Sequence, residues 1–199
     1  KSLLRAVTNM FLIPTSEREV VSVAVRIVVP MPVYRLKKVI INWDLTPKQA
    51  VGLLSGSNPD IALWPEGGDQ MGLWNGGKTG VEEGMTLPIY WDRQSFSTAE
   101  GRQKQAASGI GFAWPVVIAS LALPENEPER VRKELNEDKE IGMWALVALR
   151  QSDEELWQRD DHFRPFCLYL YPYDFRFALG DADAGWGGDG ALVGAPQVP

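Results

Sequence analysis

Residues 166–177 read FCLYLYPYDFRF. The run reads as the last β-strand of the chain. With strand alternation Cys167, Tyr169, Tyr171, Tyr173, Phe175 and Phe177 share one face, and Phe166, Leu168, Leu170, Pro172, Asp174 and Arg176 share the other. Three successive tyrosines are hard to bury, because each hydroxyl needs a partner. A tyrosine row suits a surface with an apolar body and a wet tip. A core face under a helix layer would use Phe175 and Phe177 equally well. Pro172 removes a backbone donor, which points to an edge strand or a bulge.

Working outward, SDEELWQRD (152–160) reads as a short helix opened by Ser152 and Glu155. IGMWALVAL (141–149) reads as a strand, with a period that also permits a buried helix. NEPERVRKELNED (126–138) is a surface helix whose start is marked by Asn126 and Pro128. WPVVIASLAL (114–123) is a buried strand by its continuous apolar run. STAEGRQKQAAS (97–108) is a helix capped by Ser97 with Glu100 three residues on. TLPIYWD (86–92) is a strand or edge segment containing Pro88. Nearer the start, EVVSVAVRIVV (19–29) is a strand, and so is KKVIINWD (37–44), with Val39, Ile41 and Trp43 on one face. TPKQAVGLLSG (46–56) carries a capping box, Pro47 in the first turn and Gly56 at its end. DIALW (60–64) is a short strand, and residues 65–85, with seven glycines, form a long loop. KSLLRAVTNMFLIP (1–14) is a first helix, or the basic edge of a membrane segment lying before it.

Strands and helices alternate through the second half, which predicts an α/β fold. The expected architecture is a single layered domain over residues 1–179, a mixed β-sheet flanked by short helices, with α+β as the alternative. Residues 180–199, rich in Gly, Ala, Asp and Pro, are expected to form a mobile tail.

The formal net charge is −6 over 199 residues. It is unevenly placed. Residues 1–50 hold eight Lys/Arg against three Asp/Glu, and residues 151–199 hold three against nine. An acidic chain disfavours nucleic acid and suits docking to a partner by charge. Eight tryptophans raise the expectation of a recognition surface. Cys167 is the single cysteine, so no internal disulfide forms. That suits a reducing compartment and favours a cytoplasmic setting, with a periplasmic or membrane-peripheral one if an anchor preceded Lys1. No run approaches the roughly 20 apolar residues of a spanning helix.

Three features bear on chemistry. GLWNGGKT (72–79) fits the phosphate-loop spacing, yet no strand leads into it, and Gly80, Gly84 and Pro88 oppose a following helix. Glu82 and Glu83 place negative charge where phosphate would sit. The match reads as chance, and no cofactor is expected. His162 is the single histidine, so a histidine-rich metal site is impossible and zinc ligation by His and Cys fails. A nucleophile activated by histidine must use His162, with Cys167 or the nearby Asp160 and Asp161. DADAGWGGDG (181–190) offers Asp181, Asp183 and Asp189 to calcium, but Gly185, Trp186 and Leu192 break the EF-hand pattern. No metal is expected.

The sequence therefore leads to a non-catalytic protein-binding or adaptor domain, in composition like bacterial secretion-accessory or toxin-neutralising proteins. Tyr169, Tyr171, Tyr173 and Trp74, in the long glycine-rich loop, are the candidate partner contacts. The alternative is a hydrolase dependent on His162 with Cys167 or a nearby aspartate.

Overall fold

A computed structural model of the chain describes residues 33–65, 68–91, 94–136, 145–158, 165–172, 175–181, 185–186 and 190–199. The first helix over 1–14 and the strand over 19–29 lie outside these residues.

β1 (Val33–Asn42) pairs antiparallel with β2 (Val81–Tyr90). Lys38 has φ +57° and the register shifts between Leu36 and Val39. This bulge lets Leu36, Val39 and Ile41 all reach one core, although alternation alone would put Leu36 opposite the other two. Among the described residues, side chains take up backbone groups along the outer edge of β1. Asn126 accepts from Ile40 N–H (2.7 Å) and donates to the Ile40 carbonyl (2.8 Å) and to that of Ser120 (2.6 Å). Ser120 Oγ accepts from Asn42 N–H at 3.1 Å.

α1 (Pro47–Leu53) carries the expected capping box of Thr46 and Gln49. A 3₁₀ turn covers Pro59–Leu63, where a strand was expected. Asn58 accepts from Asp60 N–H and Pro59 fixes φ, so the local chemistry opens a helical turn. The expected loop over 65–85 is mostly regular. α2 (Gly68–Asn75) ends at Gly76 and Gly77, both left-handed, and β2 begins at Val81. Its glycines serve a helix C-cap and a bulge at Gly84 (φ +69°) instead of a flexible connection.

α3 (Thr98–Ala107) has the Ser97–Glu100 capping box. α4 (Pro115–Ser120) replaces the strand expected at 114–123. All six of its residues are buried, so the apolar run lacks an amphipathic period and mimics a core strand. α5 (Pro128–Asn136) follows as expected.

β3 (Ala145–Val147) and β4 (Trp157–Gln158) both pair antiparallel with β5 (Pro165–Tyr171), at opposite ends of it, while β6 (Arg176–Asp181) lines the other side of β5. The short helix expected at 152–160 is a 3₁₀ turn at Asp153–Glu155 followed by β4. Buried Arg150 pins this excursion. Its guanidinium lies 3.4 Å from the Trp114 ring centroid, donates to the Phe112 carbonyl (2.9 Å) and pairs with Glu155 (3.3 Å). Burial draws its pKa below the ordinary guanidinium value, while Glu155 draws it back up.

β7 (Gly190–Val193) lies inside the sheet, antiparallel to β2 and parallel to β3. The order is β1-β2-β7-β3-β5, with β4 end to end with β3 and β6 outermost. The fold is thus α/β with a mixed sheet flanked by short helices. The expectation of a mobile tail from Gly180 is corrected here. Gly180 and Asp181 end β6, residues 190–193 are all buried, and Gln197 exchanges two 2.9 Å backbone bonds with Thr86. Small residues allow this close insertion: the Gly194 N–H donates to the Pro88 carbonyl at 2.8 Å, and a Cβ on Gly194 would lie 2.8 Å from the Pro88 ring. Pro88 therefore sits in an inner strand and not at an edge.

The sheet separates two cores. Leu146, Leu168, Leu170, Ala191 and Val193 face α1, α2, α4 and α5, while Val147, Leu192 and Tyr90 face Phe96, Leu149 and α3. Trp64 stacks on Trp157 (4.8 Å) and meets Trp74 edge-on (5.4 Å) within the larger core. Several of the tryptophans thus serve packing.

Two outcomes test this architecture. Deleting residues 190–199 abolishes the cooperative urea transition. Asn126→Ala, which strips the partners of a buried strand edge, lowers the unfolding free energy by about 2–4 kcal/mol in urea melts.

Candidate functional site

β5 divides its side chains as alternation requires. Leu168 and Leu170 enter the larger core, and Tyr169 and Tyr171 stand half-buried on the opposite face. The twelve-residue aromatic run is not one strand, however. The chain reverses after Pro172, Phe175 adopts φ +51°, and β6 carries Phe177 back. Phe175 and Phe177 are buried in the larger core, away from the tyrosine face. A proline that cannot extend the ladder and a left-handed residue make this a hairpin.

On the tyrosine face the rings form a ladder. Tyr169 and Tyr171 meet edge to face at 5.0 Å, and the Tyr171 hydroxyl donates to that of Tyr169 at 3.2 Å. Tyr169 meets Trp186 at 5.8 Å, again nearly perpendicular. Arg176 lies 4.8 Å above the Tyr171 ring. Gly180, beside Tyr169 on β6, makes the ladder possible: a Cβ there would lie 2.8 Å from Tyr169 and 3.1 Å from Trp186. Trp186 is held by an isolated β-bridge to Phe96, with bonds of 2.8 and 3.0 Å, and its Nε1–H donates to Thr98 Oγ1 at 3.1 Å.

Beyond Trp186 the surface opens into a shallow cleft of about 470 Å³, lined by Ser95, Phe96, Ser97, Glu100, Gly185 and Trp186. Glu100 Oε2 accepts from the Ser97 N–H (2.8 Å) and Oγ–H (3.0 Å). The backbone donor foremost, then the hydroxyl, hold the Glu100 carboxyl below the usual carboxylate pKa. Sequence reading located the Ser97–Glu100 cap and the tyrosines. It gave no sign that Trp186, taken as part of a tail, would join them.

The remaining candidates fall elsewhere. Trp74 is fully buried, and its Nε1–H donates to the Leu45 carbonyl at 2.7 Å, so it presents no surface to a partner. Tyr173, His162, Asp160, Asp161, Asp183 and Asp189 lie outside the described residues, and Cys167 falls within β5. In GLWNGGKT the order is helix, turn, strand. The Gly76 N–H donates back to the Gly72 carbonyl (2.7 Å), and Lys78 sits 4.2 Å over Trp43 and 3.9 Å from Glu82. A helix C-terminus offers carbonyls and the negative dipole end, the reverse of a phosphate cradle. Among the described residues no cluster of His, Cys, Asp or Glu is arranged to hold a metal, and no helix is long and apolar enough to cross a membrane.

Compared with known proteins, the chain matches no family model, no curated protein and no solved structure.

The Glu100 geometry has a consequence in pH. A depressed folded-state pKa gives a stability contribution present above the unfolded carboxylate value and lost as pH falls through the folded one. In Ser97→Ala the backbone donor persists, so the Glu100 titration followed by NMR moves only part of the way back up. The ladder has its own check. Gly180→Leu separates Tyr169 from Trp186, costs about 1–3 kcal/mol in urea melts and alters the near-UV circular dichroism.

Proposed function

We propose that the chain is a non-catalytic binding domain for another protein, and that the face built by Tyr169, Tyr171 and Trp186 is its contact surface. The observation that carries this reading is the ladder itself. Three aromatic rings stand half-buried in perpendicular order at centroid spacings of 5.0 and 5.8 Å. Rings held this way lose little conformational entropy on binding, and aromatic anchors of this kind dominate binding energy at protein interfaces. The acidic second half of the chain adds long-range steering toward a partner of opposite charge.

The test is co-purification from a lysate of the source organism with the wild-type chain, Tyr171→Phe and Tyr171→Ala. A stoichiometric protein retained by the first two and reduced about tenfold or more by the third is the expected result. Urea melts of the three chains should all stay cooperative, with Tyr171→Ala losing about 1–3 kcal/mol of packing. The same partner held equally by Tyr171→Ala, or no partner held by any chain, overturns the proposal.

A further inference from the structure

We infer that the cleft beside Trp186 receives an arginine or lysine side chain of the partner protein, an assignment that rests on the protein-binding reading above. Its walls are chemically unlike each other. Its lining includes the acidic Glu100 and the aromatic Trp186 together with Ser95 and Ser97. Glu100 is fixed rather than free to swing, because Oε2 is tied to both donors of Ser97. Among the described residues nothing bonds Oε1, which leaves an oriented acceptor facing solvent. The indole donor is likewise engaged by Thr98, so what Trp186 offers the cleft is its π-system.

A carboxylate and an indole together suit a cation. The carboxylate takes a charge-assisted hydrogen bond, and an aromatic face attracts a guanidinium or ammonium through its quadrupole. The N-terminus of α3 contributes roughly half a positive charge and offsets part of the Glu100 charge, so the attraction for a cation is local to the free carboxylate oxygen and the ring. The neighbouring rings already hold cations in this way: Lys104 Nζ is 5.5 Å from the Phe96 centroid and Arg176 is 4.8 Å from that of Tyr171. Lys104 also acts on Glu100 through space, one turn away, and so competes with an incoming cation.

The experiment is an NMR titration of the full ¹⁵N-labelled chain, following the Trp186 indole N–H signal. The probes are acetyl-Gly-Arg-Gly-amide and its neutral isostere acetyl-Gly-citrulline-Gly-amide. Expected are a saturable shift with the arginine peptide and none with citrulline. Glu100→Gln should bind about fivefold more weakly, because glutamine at that position keeps the capping box and loses the charge. Lys104→Met should bind about twofold more tightly, since a like charge is removed. Equal shifts with both peptides, an unchanged Glu100→Gln, or no movement of the Trp186 signal overturns the assignment. Failure here is distinguishable from failure of the binding reading. A captured partner released by Tyr171→Ala but fully held by Glu100→Gln leaves the aromatic surface standing and removes the cationic pocket. Absence of any captured partner removes the surface, while the peptide titration still decides the chemistry of the cleft.

Discussion

The fold depends on one insertion, that of Gly190–Val193 between β2 and β3. Without it the sheet is two pieces, an antiparallel β1–β2 pair and a β3–β4–β5–β6 group. β7 joins them by an antiparallel ladder on one side and a parallel one on the other. It also serves both cores, giving Ala191 and Val193 to one and Leu192 to the other. The residues that follow strengthen the join. Ala195 N–H donates to the Gly111 carbonyl at 2.9 Å, and Gln105 Nε2 reaches the carbonyls of Gly111 (2.8 Å) and Val193 (3.1 Å) from α3. Backbone groups taken out of water in this way need those partners.

The same insertion organises the aromatic face. Residues just ahead of β7 carry Trp186, and the bridge to Phe96 sets that indole between the tyrosines of β5 and the N-terminus of α3. Three parts of the chain meet there: β5 with β6, residues 185–186 just after them, and residues 95–100, far away in sequence. The tyrosine hydroxyls satisfy one another, which answers the difficulty of burying them without making the face an ordinary core.

What was legible in the sequence was local chemistry. The capping boxes at Thr46–Gln49 and Ser97–Glu100 are four-residue local patterns, and both formed as read. The inward face Val39, Ile41 and Trp43 followed from alternation. Segments whose environment overrode their pattern were illegible. α4 is buried all round, so its period vanished. The glycines of 72–84 looked like loop because composition does not distinguish a flexible run from a helix cap joined to a bulged strand. The Gly/Ala/Asp-rich end looked mobile because small residues carry little apolar signal, although they are what permits close approach at the centre of a sheet. Trp186 was lost with that end. Half of the site therefore depended on a long-range pairing that no short window contains.

A central strand so far in sequence from its neighbours also sets the order of folding. β2 and β3 are separated in sequence from β7 by about a hundred and about forty residues, respectively. Their facing edges cannot be bridged until residues 190–193 have left the ribosome. At roughly 5–20 residues per second, that leaves an interval of seconds in which two strand edges stand open. Until then the nascent sheet is an aggregation hazard in search of a strand, and β7 must outcompete every foreign one.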